Sequence, residues 1–297
     1  MSFRVVELEN GFARIGVRPD LGAGLTCYDI FRDGEFVPVL RRVDPQTAHP
    51  FSLSNIVLVP FSGRVSRGGF TFGNSFHAIE PNMPGQKHPV HGSGFSSAWA
   101  VTRQSSVDIS LALSGVGPGP FVYNAVLNYQ LDGRSLIMTM NVTNRASVTL
   151  PYGSGFHPWF VRDDATYLTA PAKAVWLEDE DHLPAGSVPV GDRPDMDFTQ
   201  SRRLPDQWIN NCFSGWTGHG QIDWPKRRVS AAVWASAEIS HYVVFSPSAD
   251  ADFFCFEPVN HSVDAFNLPG GPQAHGMKLL PPGASSSVSM VIAPAAT

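Results

Sequence analysis

Residues 121–142 read FVYNAVLNYQLDGRSLIMTMNV, and their spacing settles the fold class. Phe121, Tyr123, Ala125, Leu127, Tyr129 and Leu131 alternate with Asn124, Asn128 and Gln130, so one face is apolar and the other polar. That period of two is the signature of a half-buried strand. Asp132-Gly133 then offers a tight turn, after which Leu136, Met138, Met140 and Val142 resume the alternation. The stretch predicts a β-hairpin.

The device repeats nearer the N-terminus. Asn10-Gly11 separates VVELE from FARIGV, and Asp33-Gly34 separates LTCYDIF from EFVPVL. Residues 229–235, 241–246 and 252–258 are further strand candidates. Gly (27) and Pro (25) are dense, and either is costly inside a helix. No segment of about 12 residues keeps a helical period. Hairpins along the whole chain, without a linker or internal repeat, predict an all-β protein: a large antiparallel β-sandwich forming a single domain over residues 1–297. The proline-bearing stretch 183–206 reads as a long polar surface loop of the kind that borders active sites.

Composition narrows the function classes. The chain is 43% hydrophobic and 16% charged, with a net charge of -5 and no basic stripe, which argues against nucleic acid as a partner. MSFRVVELENGFARIGV lacks a signal-peptide core, and no run of about 18 apolar residues occurs. A soluble cytoplasmic protein, with no membrane partner, is the expectation. Cys27, Cys212 and Cys255 lie far apart among apolar neighbours and read as reduced core residues.

Several residues have alternative readings when taken singly. His88 and His91 in HPVH lack a third ligand nearby, so no metal is expected. His157, in GSGFHPWF, is either a hydrogen-bonded structural histidine, the commoner case, or an acid–base group near neutrality. Its neighbours Gly153 and Gly155 permit a close backbone approach, and Trp159 could pack against an apolar ligand face. Glu257 ends an apolar strand on the face of Phe253 and Cys255. It either reaches solvent where Pro258 stops the strand, or is buried with a raised pKa. Arg64 and Arg67 in PFSGRVSRGGFTF are either solvated turn residues or ligands for hydroxyls or phosphate.

In order along the chain, VRPDLGAGLTCYDIFRDGEFVPVLR (17–41), PFSGRVSRGGFTFGN (60–74), HPVHGSGFSSAW (88–99), GSGFHPWF (153–160) and CFEPVNHSVDAFNLPG with LLPPGASSSVSM (255–290) resemble the aldose 1-epimerase (galactose mutarotase) family. The resemblance implies a β-supersandwich and an enzyme that interconverts sugar anomers. It implies His157 as general acid, Glu257 as general base, and Arg64 and His91 as substrate-binding residues. It implies no metal or organic cofactor, with a monosaccharide as the partner of a monomer or homodimer. Two positions depart from the pattern. Gly63 stands where Asn is common, and Asn210, in WINNCFSGW, stands where a hydroxyl-binding Asp is common and is taken as its counterpart. A related activity on hexose 6-phosphates would need a cationic pocket, with Arg64, Arg67, Arg202 and Arg203 as contributors. A sugar-binding protein of the same fold without catalysis is the other alternative.

Overall fold

The computed structural model describes residues 5–296; the first four residues and Thr297, at the ends of the expected domain, lie outside the described residues. The quoted stretch forms strands Val122–Asp132 and Ser135–Asn144, paired in antiparallel register from Tyr123↔Asn144 to Asp132↔Ser135. The turn itself is Gly133-Arg134, one residue beyond the Asp132-Gly133 pair, because Asp132 still pairs with Ser135 and only Gly133 needs a positive φ (55°). Asp33-Gly34 does supply a positive-φ pair, at 51° and 91°, the requirement of a two-residue hairpin turn.

Two large antiparallel sheets result. In the larger, Val6–Glu9, Ala13–Arg18, Gly24–Arg32 and Glu35–Leu40 run in sequence, then Gly155–Val161, Phe253–Val259, His241–Ser246, Ile209–Ser214, Ala174–Glu178 and Pro184–Pro189. Asn55–Leu58 pairs with both Gly155–Val161 and Gly24–Arg32. The smaller sheet runs Arg202–Arg203, Tyr167–Thr169, His219–Trp224, Val229–Ala235, Ser285–Ala296, Ser135–Asn144, Val122–Asp132, Asp108–Val116 and Ala100–Gln104. The helices among the described residues are 3-10 turns of three or four residues. None is long and apolar enough to cross a membrane.

The stretch 183–206 is not a continuous loop. Pro184–Pro189 is a strand paired with Ala174–Glu178, and Arg202–Arg203 pairs with Tyr167–Thr169. Proline masked the first of these. It removes a ladder donor, yet an outermost strand bonds on one side only and tolerates it.

Between the sheets lies one apolar cluster in which Phe121, Leu127, Met138, Phe156, Phe160, Phe254 and Phe256 are all sealed from solvent. Its few polar atoms join separate segments. Tyr129 Oη donates to the Ala23 carbonyl (2.8 Å), Tyr242 Oη to that of Ala170 (2.7 Å) and Trp224 Nε1 to that of Val161 (2.8 Å). A buried tyrosine brings a large apolar ring but must place its hydroxyl. Replacing Tyr129 by Phe leaves the Ala23 carbonyl without this donor, and the expected loss is roughly 1–3 kcal/mol in urea unfolding. An unchanged unfolding free energy would show that this bond contributes nothing net.

Candidate active site

Alternation along the central strands of the larger sheet gives two buried faces instead of one. Phe156, Phe160, Phe254, Phe256, Tyr242, Val244, Ile209 and Phe213 enter the inter-sheet core. Their neighbours His157, Trp159, Glu257, Val243, Phe245, Asn210 and Cys212 line a cavity of about 320 Å³ on the other face. Loops roof it with Phe51, Ser62, Gly63, Arg64, Gln86, His91, His182, Trp208 and Val263. The strand Phe253–Val259 does not stop at Pro258, which pairs with Tyr242, so Glu257 is held inside at 4% exposure.

The cavity floor brings His157 Nε2 within 3.4 Å of Glu257 Oε1. Burial disfavours both charges. It pushes the Glu257 carboxyl from 4.5 up to about 8, with the nearby Arg64 pulling the other way. Burial, reinforced by His91 and Arg41, holds His157 well below 6.5. The pair therefore carries one proton at neutral pH. Trp159 stacks on His157 (3.9 Å between centroids, 17°), and His91 meets it edge-on at 5.4 Å. Trp159 is thus engaged by the protein itself, with Arg41 also over its ring at 4.6 Å and only 4% of its surface exposed. It holds the histidine ring from one side, and the little surface it keeps lines the cavity. Likewise the space at Gly153 is taken by the His261 ring, and that at Gly155 by Val259 and the Pro258 carbonyl. Those glycines serve internal packing.

His91 is fixed by a reciprocal pair: its backbone N–H donates to the Gly63 carbonyl (2.9 Å) and its Nδ1 accepts from the Gly63 N–H (3.0 Å). Nδ1 as acceptor places the ring proton on Nε2, and burial lowers the pKa to about 3, so the ring is a neutral donor. Gly63 has φ +64°. Asn also enters that left-handed region, which gives the departure there a backbone reason. The Arg64 guanidinium makes a long hydrogen bond, from Nη2 to Gln86 Oε1 (3.4 Å). Arg67 is an exposed turn residue with φ 59°. Arg202 is bonded to the Asp197 carbonyl and Arg203 to Asp206, both on the exposed strand. Of the four arginines considered for a phosphate pocket, Arg64 lines the cavity and the others do not.

Other contributors went unread in the sequence. Arg41 donates to the Leu53 and Phe51 carbonyls and braces the roof loop. Its neighbourhood is apolar, and burial lowers its pKa to about 10. His261 Nε2 accepts from the Ser62 N–H (3.0 Å), and Asp264 accepts from the Ser66 N–H (2.9 Å) and hydroxyl (2.7 Å). These bonds clamp the 62–66 loop to the segment after Glu257. The motif strings contain the residues, but no local pattern pairs them across the fold.

His157, Cys255 and Glu257 are the group among the described residues that could hold a metal ion, their donor atoms lying within 4.8 Å of one another. A thiolate would be required. Burial drives the Cys255 thiol well above 9.0, with Glu257 adding to the shift and Arg41 opposing it, which disfavours the thiolate. His88 Nε2 lies 3.8 Å from Asp181 and does not line the cavity, as His91 does. All three cysteines are free; Cys212 and Cys255 are buried as expected and Cys27 is half-buried.

The family model described as aldose 1-epimerase matches residues 4–293. The chain belongs to this family. The uncharacterized Escherichia coli K12 protein YphB is 32% identical over 239 residues, spanning 78% of this chain and 81% of its own. The crystal structure of an Escherichia coli K12 protein whose aldose 1-epimerase assignment is itself provisional is 28% identical, covers 100% of both chains and superposes with a TM-score of 0.90. At 16% identity, a galactose 1-epimerase from Lactobacillus acidophilus shares the fold with a TM-score of 0.75 over 98% of this chain and 94% of its own. The galactose mutarotase-like sandwich expected from the motif order is therefore the fold observed.

The raised Glu257 pKa has a stability consequence. The folded form keeps a proton that the unfolded chain releases, so stability falls as pH rises from about 4.5 through about 8. Glu257→Gln removes that loss and is expected to stabilise the fold by roughly 3 kcal/mol at pH 7 and by little at pH 4. Thermal unfolding of both proteins at the two pH values checks it; an equal shift at both would show the carboxyl is not buried as a proton carrier.

Proposed function

We propose that this protein is an aldose 1-epimerase that interconverts the α and β anomers of a free aldose by acid–base ring opening and closure. The observation that carries the reading is the His157–Glu257 pair, one imidazole and one carboxyl 3.4 Å apart in a buried cavity. Mutarotation moves two protons and needs no other chemistry. The shared proton first passes from Glu257 to His157 across their 3.4 Å contact; the Glu257 carboxylate then takes the proton of the anomeric hydroxyl while His157 delivers one to the ring oxygen. The aldehyde turns about the C1–C2 bond, and closure on its other face reverses both transfers. Arg64 beside Glu257 favours the carboxylate that ring opening requires, and the neutral His91 supplies a donor near the ring oxygen. Asn210 contributes a polar contact to the sugar hydroxyls. The proton pair acts without cofactor or metal, on a free monosaccharide in the cytoplasm.

A free sugar is preferred to a sugar phosphate because Arg67, Arg202 and Arg203 lie away from the cavity and Arg41, the second arginine of its wall, is bonded to the Phe51 and Leu53 carbonyls, which leaves Arg64 as the arginine facing a ligand. The test is polarimetry of freshly dissolved α-D-galactose and α-D-glucose, with glucose 6-phosphate as competitor. Wild type should speed the approach to equilibrium. His157→Ala and Glu257→Ala should each lower kcat by about 10²–10⁴. Sugar binding without acceleration would replace the enzyme reading by a binding protein, and strong preference for the phosphate would replace the substrate.

The pH profile follows from the single shared proton. Above about pH 8 the pair has none to deliver, so kcat/KM should fall close to tenfold per unit. Well below pH 6.5 both groups become protonated and the base is lost, giving a lower limb on the acid side. A profile flat from pH 7 to 10 would exclude Glu257 from the proton transfers.

A further inference from the structure

At the cavity mouth, three side chains of its wall converge on one carboxylate that is not itself part of the wall. Glu178, the last residue of the strand Ala174–Glu178, accepts from Trp208 Nε1 on Oε1, and from Asn210 Nδ2 (2.8 Å) and His182 Nδ1 (2.9 Å) on Oε2. His182, Trp208 and Asn210 all line the cavity. An ionised carboxylate can only accept, so each partner's orientation is forced. Asn210 must turn its amide nitrogen to Glu178, which leaves Oδ1 without a donor among the described residues and available to the cavity. The Trp208 indole is held by the same carboxylate, by a stack on His182 (5.4 Å, 27°) and by an edge contact with Phe245 (5.1 Å), yet 46% of it is exposed. A half-exposed indole pinned on three sides at a cavity mouth presents an ordered apolar face.

We propose that Glu178 is the positioning residue for substrate recognition at this mouth: it locks Asn210 as a neutral hydrogen-bond acceptor for a sugar hydroxyl and holds Trp208 as the surface on which the sugar's apolar face rests. The ligand class rests on the epimerase reading above; the orientation of Asn210 and Trp208 does not. An acceptor at position 210 with no charge of its own follows from the charge placed behind it. A second carboxylate there would face the first at hydrogen-bonding distance, and like charges so close are mutually disfavoured.

A charge-exchange cycle tests this. Asn210→Asp is expected to raise KM for D-galactose or D-glucose at least about tenfold at pH 7.5 while kcat stays within about twofold. Glu178→Gln alone should raise KM several-fold. The double variant Glu178→Gln/Asn210→Asp restores one donor facing one acceptor, with the amide introduced at position 178 now donating. It should bring KM back to within about threefold of wild type. No rise in the Asn210→Asp variant, or a double variant no better than the worse single one, would overturn the proposal; so would parallel losses of kcat and thermal stability in place of the KM effect. Quenching of Trp208 fluorescence by the same sugars, taken as the difference between wild type and Trp208→Phe, reads binding without turnover. Quenching with no mutarotation would sink the epimerase reading and leave the cycle measurable through Kd. Mutarotation with no Trp208-dependent quenching would sink the platform.

Discussion

The central strands of the larger sheet have no face open to bulk water. Phe156, Phe160, Phe254 and Phe256 enter the apolar core, whereas His157, Trp159, Phe253, Glu257 and Val259, on the other face, line the loop-roofed cavity. Phe156 and His157, or Phe256 and Glu257, are chain neighbours that live in different surroundings because successive Cβ atoms point to opposite faces. The core side fixes the strands in register, and the register fixes the separation of the imidazole and the carboxyl. A slip of one residue would send Phe256 to the cavity and Glu257 into hydrocarbon. Position and chemistry thus depend on one packing constraint.

Desolvation sets the protonation states within that geometry. The burial that lifts Glu257 to about 8 also lowers His91, in the cavity wall, to about 3 and His261, bonded to the Ser62 backbone, to about 4, so both imidazoles are neutral with fixed donor and acceptor atoms. Groups that cannot ionise to suit themselves are preorganised, which is how an acid–base site avoids reorganising at the moment of reaction. The cost falls on stability, since a buried carboxyl opposes folding above its ordinary pKa. The sheet on both sides of Glu257 supplies the apolar burial that offsets it.

The roof is held by a different kind of bond. His91 (φ 59°), Gly63 (φ 64°) and Asp264 (φ 54°) sit in left-handed backbone conformations, and hydrogen bonds from Gly63 to His91 and from Ser66 to Asp264 stabilise the turns they make. Loops shaped this way set side chains at the rim of a rigid sheet. Of the proposed recognition residues, Arg64 and His91 sit on these loops, whereas Asn210 and the proposed proton-transfer pair sit on strands.

The strands and their faces were legible because alternation is local: 229–235 and 241–246 are the observed strands to the residue, and 121–131 buries the side it was expected to bury. Motif order carried the family, and with it the residues His157, Glu257, Arg64, His91 and Asn210, all of which the fold gathers into one cavity. Local pattern misled at 183–206, where proline concealed an outermost strand. Alternation, turns and the chemical groups at hand are thus properties of the residue order. Which face of a strand meets the cavity, how far Glu257 is shifted, and that Glu178 stands behind Asn210 arise in the folded chain. Those depend on desolvation and on contacts between segments remote in the chain, and neither is written in any local stretch of residues.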